Sequence, residues 1–197
     1  MKRAFNQIIG CGILAMAAVL PSCNKIDASD GEQIDKRFEV ADFDKIVIET
    51  AGVLNYTQSA ERSVEVNANE KILEILEVEV KENTLFISFT KNKTILNEGQ
   101  LVFTVSDDDV YSITTSGLAN VTANFDEGYD FYDLEMISSG SGNISLDAAN
   151  ATNADFTTSG SGNIDVTTVN SAGVDAVLSG SGNVTIHGSA SALDLNI

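Results

Sequence analysis

The sequence predicts an all-β solenoid made of coils that stack in parallel. The phrase Ser-Gly-Ser-Gly-Asn, followed by Ile or Val, occurs three times at 20-residue intervals, at 139–144, 159–164 and 179–184. A degenerate copy at 116–121 lies 23 residues before the first. A fixed repeat of this length is typical of proteins in which each repeat buries its apolar face only by stacking on its neighbours.

Apolar and polar residues alternate on both sides of each glycine phrase. Ile164-Asp165-Val166 follows one phrase, and Ala154-Asp155-Phe156 precedes it. Alternation with a period of two predicts strands with one buried face. Each coil should therefore run strand, loop, strand and glycine turn, and wind once round a flattened core. We expect glycine in the turn because a tight bend requires a positive φ.

Stacking at about 4.8 Å would align identical residues of successive coils into ladders. Asn120 and its three equivalents would then hydrogen-bond from coil to coil. We interpret these positions as structural rather than as a ligand site. The turn and ladder residues are Gly140, Gly142, Asn143, Gly160, Gly162, Asn163, Gly180, Gly182 and Asn183.

The charge of the chain restricts its partners. The formal net charge is −18, and no Lys or Arg follows Lys93. An acidic repeat region disfavours nucleic acid, which is bound through basic contacts to phosphate. It also disfavours anionic lipid head groups as ligands of the repeats. Cations, basic proteins and neutral glycans remain compatible.

Residues 1–22 have the plan of a bacterial signal peptide. Basic Lys2 and Arg3 precede an apolar stretch at 8–20 that is too short to be read as a spanning helix. The segment 20–23, Leu-Pro-Ser-Cys, resembles a lipobox, in which the cysteine is acylated and becomes the new N-terminus. The sequence therefore predicts a lipid anchor at Cys23, with a plain signal peptide and an incidental cysteine as the alternative.

The remaining cysteine and the next residue agree with an anchor. Cys11 lies inside the apolar stretch and would be removed, leaving Cys23 unpaired in the mature chain. Asn24 is not the aspartate associated with retention in the inner membrane. We therefore expect an exported protein, lipid-anchored in the cell envelope, in the outer membrane of a Gram-negative bacterium. Residues 23–36 are predicted to be the lipidated cysteine and a polar tether.

The folded domain is predicted to span 37–197, with less regular strands in its N-terminal half. Several segments there are similar to a known family: 37–40 with Phe43, Asn69-Glu70 before Leu73, 84–87, and 112–117 leading into the glycine repeats. Together they resemble the head GIN domain family, described as "putative auto-transporter adhesin" heads. The resemblance implies a right-handed parallel β-helix akin to pectin-lyase-like solenoids, no recognised catalytic residues, and adhesion as the role.

The end of the sequence departs from the family pattern. The chain stops at Asn196-Ile197, where another glycine phrase would be due. We expect a C-terminal end that is truncated relative to that pattern. The last coil would then expose an unpaired edge, and such edges associate with other chains. Homo-oligomers are one expected consequence.

Three acidic residues are predicted to stack on one outer face, namely Glu135, Asp155 and Asp175. A polysaccharide-acting enzyme that uses paired Asp residues, with Asp147 and Asp165 on the other strand, is the alternative function. Such pairs arise automatically from a repeat, however, and the repeats carry no basic group to assist catalysis. The single histidine, His187, should face outward. We therefore expect no enzyme, no cofactor and no metal site, with calcium on the acidic face as a minor alternative.

The segment 126–133 interrupts the 20-residue period with aromatic residues among acids. Loops that leave a solenoid commonly carry its binding function. Tyr129, Phe131 and Tyr132, with the acidic face, are the candidate contacts for a glycan or protein ligand. The alternative is that Phe131 and one tyrosine only cover the adjoining coil. The predicted protein is a cell-envelope lipoprotein whose adhesin-like β-helix binds a partner without catalysis.

Overall fold

The computed structural model describes residues 25–126 and 128–197, so the predicted signal peptide, Cys23 and Asn24 lie outside the described residues. The fold is all-β, and the described residues include one short helix, α1 (Glu70–Leu73). No helix in this part of the chain is long and apolar enough to cross a membrane. The strands are β1 (Lys25–Asp27), β2 (Gln33–Arg37), β3 (Lys45–Ile48), β4 (Val53–Gln58), β5 (Ser63–Asn69), β6 (Leu76–Lys81), β7 (Thr84–Phe89), β8 (Thr94–Asn97), β9 (Leu101–Asp107), β10 (Ser112–Thr115), β11 (Asn120–Asn124), β12 (Asp130–Ser138), β13 (Ile144–Thr158), β14 (Ile164–Leu178) and β15 (Val184–Asn196).

The repeats stack as parallel strands in the register that their spacing predicts. Ile144 of β13 lies beside Ile164 of β14, which lies beside Val184 of β15. The chain forms two faces. On the first face, β9, β4, β11 and the starts of β13, β14 and β15 follow one another in parallel. On the second, β7, β3, β10, β12 and the later parts of β13, β14 and β15 do the same.

Part of the N-terminal half belongs to the same stack, although this half also contains antiparallel strands and a helix and is less regular than the repeats. Strands β3 and β4 form one coil, yet they lie between β10 and β11 on one side and β7 and β9 on the other. The order of coils in space therefore differs from their order in sequence. This half lacks the glycine phrase of the later repeats, which is why its coils are hard to recognise from the sequence.

Antiparallel strands end the stack at its N-terminal side. Strand β5 runs antiparallel to β9, β2 to β5, and β6 to β7. Helix α1 follows β5 and buries Ile72, and the side chain of Asn69 caps it by accepting a hydrogen bond from the backbone N–H of Lys71 at 3.0 Å. A change of strand direction together with a helix closes an edge that further parallel pairing would otherwise extend.

Part of the predicted tether at 23–36 forms strands in the structure. Gln33 to Arg37 pair residue by residue with β5, and Lys25 to Asp27 pair with β8. All five residues of β2 are exposed because it is an edge strand, so it shows no apolar alternation. In the sequence, a strand without apolar alternation cannot be distinguished from a polar linker.

The core lies between the two faces and is filled by alternate residues of the coils that precede β15, whose own residues are half-buried or exposed. Ile144, Ile164 and Phe156 are fully buried, as are Leu134 and Met136 of β12. Each fully buried large apolar side chain contributes about 1.5–3 kcal/mol relative to its exposed state. Stacking of coils is therefore the main source of stability, as the repeat pattern predicts.

Glycine is required in the turns for a reason other than the predicted one. The turn glycines do not have a positive φ. Instead, a Cβ at Gly142 would lie 1.9 Å from the carbonyl oxygen of Ala119, and one at Gly162 would lie 1.9 Å from that of Gly142. The close approach of one turn to the next excludes a side chain. An added Cβ would likewise lie 1.9 Å from a carbonyl oxygen of the coil beneath at Gly160, Gly180 and Gly182, and 2.1 Å from one at Gly140.

The first two glycine phrases are braced from inside by the residue that precedes each of them, whereas Leu178 holds this position before the third. The buried hydroxyl of Ser138 donates to the carbonyl of Gly142 at 2.8 Å, and that of Thr158 donates to the carbonyl of Gly162 at 3.0 Å. A buried hydroxyl without a partner would destabilise the fold by about 1–3 kcal/mol. A short polar residue at this position is therefore part of the turn.

The asparagines form the expected ladder along the turns. The side-chain amide of Asn143 donates to Asn120 Oδ1 at 2.8 Å, Asn163 to Asn143 at 2.9 Å, and Asn183 to Asn163 at 3.0 Å. The same oxygens accept the backbone N–H of the asparagine above, at 3.2, 2.9 and 2.9 Å. The ladder therefore satisfies the turn backbone as well as the side chains, which supports a structural role.

Gly162 offers a direct test of the close-approach explanation. We expect Gly162→Ala to destabilise the protein by roughly 1–3 kcal/mol or more, because a backbone carbonyl at 1.9 Å must move to admit the methyl group. Gly173→Ala is the matched control, since its Cβ would meet only Asn153 Oδ1 at 3.6 Å. Urea unfolding followed by circular dichroism gives both values. Equal stability of the two variants would contradict the explanation.

Candidate ligand-binding surface

The described residues 125–126 and 128–133, which we call the aromatic turn, run from the end of β11 into the first part of β12 and are anchored in the core. Phe125 and Phe131 are buried, and their rings meet edge to face with centroids 5.0 Å apart. The ring of Phe125 also lies 5.3 Å from that of buried Tyr56. Phe131 is therefore packed against its own chain, as the alternative that it covers the adjoining coil expects, although it still borders the hollow described below.

The aromatic turn presents its two tyrosines at the surface. Tyr129 packs on Phe131 with centroids 4.7 Å apart and remains 40% exposed, whereas Tyr132 is 75% exposed. Asp126 shapes the turn, since its carboxylate accepts the N–H of Gly128 at 2.9 Å and its carbonyl accepts that of Tyr129 at 3.0 Å. The turn therefore fixes the orientation of the Tyr129 ring and leaves the Tyr132 ring exposed beside it.

A hollow of about 260 Å³ lies in front of these rings. Tyr111 forms its inner side, and Lys45 lies against Tyr111 with its ammonium 5.3 Å from the ring centroid. The hydrogen bond to the Tyr111 hydroxyl raises the pKa of Lys45, so that the lysine stays charged. The polar lining consists of Asp109, Asp130 and Asp133. The hollow thus combines three tyrosines with three carboxylates.

A column of polar side chains, which we call the amide column, continues from the hollow across the later coils. Asp130, Asn150, Asn170 and Ser189 are register neighbours. Asn170 donates to Asn150 Oδ1 at 3.1 Å, and the hydroxyl of Ser189 donates to Asn170 Oδ1 at 2.9 Å. The 20-residue spacing of the two asparagines could have revealed this column, which our reading of the sequence missed.

A second hollow, of about 280 Å³, lies beside the amide column. It is lined by Asp147, Thr168 and the two asparagines of the column, with Ala148 and Ala149. The amide column therefore connects two shallow hollows on the side of the stack opposite the glycine turns. Both hollows are open to solvent.

The predicted acidic face is present as a second column. Glu135, Asp155, Asp175 and Asp194 are register neighbours on the second face. Partial burial, together with the charges of Asp175 and Glu135, raises the pKa of Asp155. Ser112 donates its hydroxyl to Glu135 at 2.8 Å and ends the column. Within the described residues, no group of three or more His, Cys, Asp or Glu side chains could hold a metal ion.

The acidic residues of the two strands lie on different faces of the stack. Asp165 lies on the first face between Ser145 and Thr185, whereas Asp155 lies on the second face. The two carboxylates therefore do not converge on a common cleft. Asp147 is exposed beside the amide column, and His187 is exposed on the last coil.

The acidic run 107–109 is only partly the solvated turn that its composition indicates. The carboxylate of Asp107 is fully buried and accepts a hydrogen bond from the guanidinium of Arg62, which also pairs with Asp42. Its other oxygen accepts the N–H of Asp109 at 3.1 Å. Asp107 is thus a structural residue. A buried carboxylate needs this pairing because unpaired it would be strongly destabilising.

The outer edge of β15 bears no neighbouring strand within the described chain. Leu193 is 60% exposed, Leu195 is 59% exposed and Ile197 is 92% exposed. They border an apolar hollow of about 430 Å³ over the core residues of β14. Exposed apolar side chains on an unpaired strand form a surface that favours further strand pairing.

The chain belongs to the family described as "Putative auto-transporter adhesin, head GIN domain", whose model matches residues 42–197. This agrees with the resemblance noted in the sequence. A comparison with curated proteins finds no match.

Solved structures share the fold. A "putative adhesin" from Parabacteroides distasonis has a TM-score of 0.70 at 21% identity, and the match covers 87% of this chain and 80% of that one. A "putative adhesin" from Bacteroides fragilis has a TM-score of 0.59 at 22% identity, over 87% and 95% of the two chains. Another from Parabacteroides merdae has a TM-score of 0.55 at 17% identity, over 88% and 96%. At such low identity, the likeness concerns the fold alone.

The acidic column should make stability depend on pH. The pKa of Asp155 is raised in the folded state above its ordinary value of 3.8, so the folded protein binds more protons between the two values. The destabilisation that comes from ionising Asp155 in the folded protein is absent below pH 3.8 and complete above the raised pKa. We expect Asp155→Asn to stabilise the protein at pH 7 by about 0.2–1 kcal/mol, as for other cross-strand pairs, and to have no effect at pH 3.

Asp165→Asn is the control for this prediction, because the register neighbours of Asp165 are the uncharged Ser145 and Thr185. Thermal unfolding at pH 3, 5 and 7 compares the two variants. A gain for Asp165→Asn equal to that for Asp155→Asn would show that net charge, rather than the column, is responsible.

Proposed function

We propose that this protein is a lipid-anchored, non-catalytic and adhesin-like component of the bacterial cell envelope. Its stacked coils would form a right-handed parallel β-helix that presents a binding surface away from the membrane. One observation carries the proposal. The aromatic turn, the segment that breaks the repeat, holds Tyr132 at 75% exposure beside Tyr129 on a rigid base.

The coil geometry supports the β-helix. Parallel strands follow one another on two faces, and successive coils are offset by 20 residues with side chains in register. Alternate residues fill the space between the faces. A rigid stack of this kind offers extended surfaces whose residues change little in position when a ligand binds.

Electrostatics favour binding over catalysis at the acidic column. Its carboxylates are spaced by the repeat itself, and the described residues provide no lysine or arginine beside Asp155 or Asp175. Cleavage of a glycan by two carboxylates needs one proton donor and one base or nucleophile on either side of a bond. On an open face of equivalent carboxylates, no environment makes one group a proton donor and another a base or nucleophile. The paired-aspartate enzyme remains the alternative that a degradation screen would detect.

The anchor rests on the leader sequence and is tested separately. We expect mass spectrometry of the mature protein from a Gram-negative host to find an acylated N-terminal Cys23, and fractionation to place the protein in the outer membrane. Cys23→Ser should release it from the membrane fraction, because anchoring depends on the attached chains. Cys11→Ser should leave both results unchanged. A mature N-terminus without lipid would contradict the anchor.

The binding role is tested with panels of glycans and matrix proteins, run beside a screen for glycan degradation. We expect saturable binding to at least one partner and no turnover. Turnover abolished by Asp155→Asn or Asp175→Asn would instead favour the enzyme. The absence of any partner on both panels would contradict the adhesin-like role.

We also propose that a second copy covers the open edge of β15. Exposed Leu193, Leu195 and Ile197 and an unpaired strand support this. Sedimentation velocity at increasing concentration should show association that Leu195→Lys weakens, and a concentration-independent monomer would count against it.

A further inference from the structure

We propose that the aromatic turn and the amide column together bind an extended neutral oligosaccharide. This inference rests on the proposed binding function and specifies the class of ligand. The ligand would lie across the coils, from the hollow lined by the tyrosines to the hollow beside Asn150 and Asn170. The argument uses the rings, the polar groups, the dimensions and the charge of this surface.

The tyrosine rings fit the apolar faces of sugar rings. Tyr132 is exposed over most of its surface, and Tyr129 keeps 40% of its surface open while Phe131 supports it from beneath. Tyrosine supplies a large, amphipathic contact area with few torsions to order on binding. Because Phe131 is buried against Phe125, the position of Tyr129 is set before a ligand arrives.

The polar groups next to the rings fit the hydroxyls of a sugar. Asp130 and Asp133 provide carboxylate oxygens that accept hydrogen bonds, and the amide of Asn170 keeps one N–H and one oxygen lone pair beyond its bonds to Asn150 and Ser189. Asn153 donates to Asp133 Oδ1 at 2.8 Å, which orients that carboxylate. A surface of alternating acceptors and amides beside aromatic rings suits a ligand that is polar on its edges and apolar on its faces.

The dimensions indicate a chain of sugars rather than one. Asp130, Asn150 and Asn170 stand on three successive coils. Two coil spacings of about 4.8 Å place the ends of this row roughly 10 Å apart, and the two hollows extend the surface on either side. Neither hollow, at about 260 and 280 Å³, encloses a whole small molecule. An extended ligand that stays partly in solvent fits better than a buried one.

The charge selects neutral sugars over acidic ones. Asp109, Asp130 and Asp133 line one hollow and Asp147 the other, while the lining of neither hollow contains a basic residue. Lys45, beside the first hollow, lies against Tyr111. Uronic acids, sialic acids and sulfated sugars would be repelled by these carboxylates at short range. A basic peptide is the competing occupant, and its binding would weaken as salt is added.

The experiment uses the full-length protein and measures affinity by isothermal titration calorimetry at low and high salt. The probes are hexasaccharides of glucose, mannose, xylose and N-acetylglucosamine, with hexagalacturonate as the acidic comparison and a hexalysine peptide as the basic one. We expect at least one neutral hexasaccharide to bind with an affinity that salt changes less than twofold. Hexagalacturonate should not bind.

Three variants and one control assign the binding to this surface. Tyr132→Ala should weaken it by at least about tenfold, and Tyr132→Phe should retain most of it, because the ring rather than the hydroxyl makes the contact. Leu118→Ala is the matched control, since Leu118 is 62% exposed in a glycine turn on the opposite side of the stack. Asn170→Asp, which removes the side-chain N–H donors of this residue from the amide column, should also weaken binding.

Several results would overturn the inference. It would fail if no neutral hexasaccharide bound, if hexagalacturonate bound with equal affinity, or if Tyr132→Ala left the affinity unchanged. Binding of hexalysine alone, abolished by salt, would identify a basic peptide as the ligand. Binding of a matrix protein without any sugar would reject this inference and leave the proposed adhesin-like function standing. Tyr132 is at the surface, so circular dichroism should confirm that its variants are folded.

Discussion

The contact between successive glycine turns is the constraint on which the rest of the structure depends. At Gly142, Gly162 and Gly182 a Cβ would come within 1.9 Å of a carbonyl oxygen in the coil beneath. The turns can stack this closely only without side chains, and a hydrogen bond from each asparagine amide to the coil below then aligns them. This alignment sets the register of both faces and therefore determines which residues share a column.

Register explains why columns of like residues are weak evidence of function in this fold. The asparagine ladder satisfies backbone and side-chain groups, and the acidic column follows from the same spacing, even though its neighbours raise the pKa of Asp155. Functional information is concentrated where the repeat is broken. The aromatic turn adds residues between β11 and β12, buries Phe131 and leaves Tyr132 in solvent. It changes the surface without disturbing the core.

The sequence predicted those features that depend on the repeat alone, namely the strands, their parallel register and the asparagine ladder. It could not predict features that depend on a neighbour in space. The steric role of Gly162 requires knowledge of the coil beneath, and the position of β3 between β7 and β10 follows no sequence order. Strand β2 has no apolar face, and buried Asp107 is paired with Arg62 from another strand. The orientation of Phe131 was open because either side of the turn could have been buried.

Amide hydrogen exchange measured by NMR tests the central claim most directly. The backbone N–H of Ser161 donates to the carbonyl of Gly140 at 2.9 Å, and that of Asn163 donates to Asn143 Oδ1 at 2.9 Å, although Ser161 is exposed. If the turns are locked to one another, both amides should exchange as slowly as those of the strand interiors, near the rate of global unfolding. Exchange at the rate of an unstructured loop, with the strands still protected, would show that the turns do not hold the stack together.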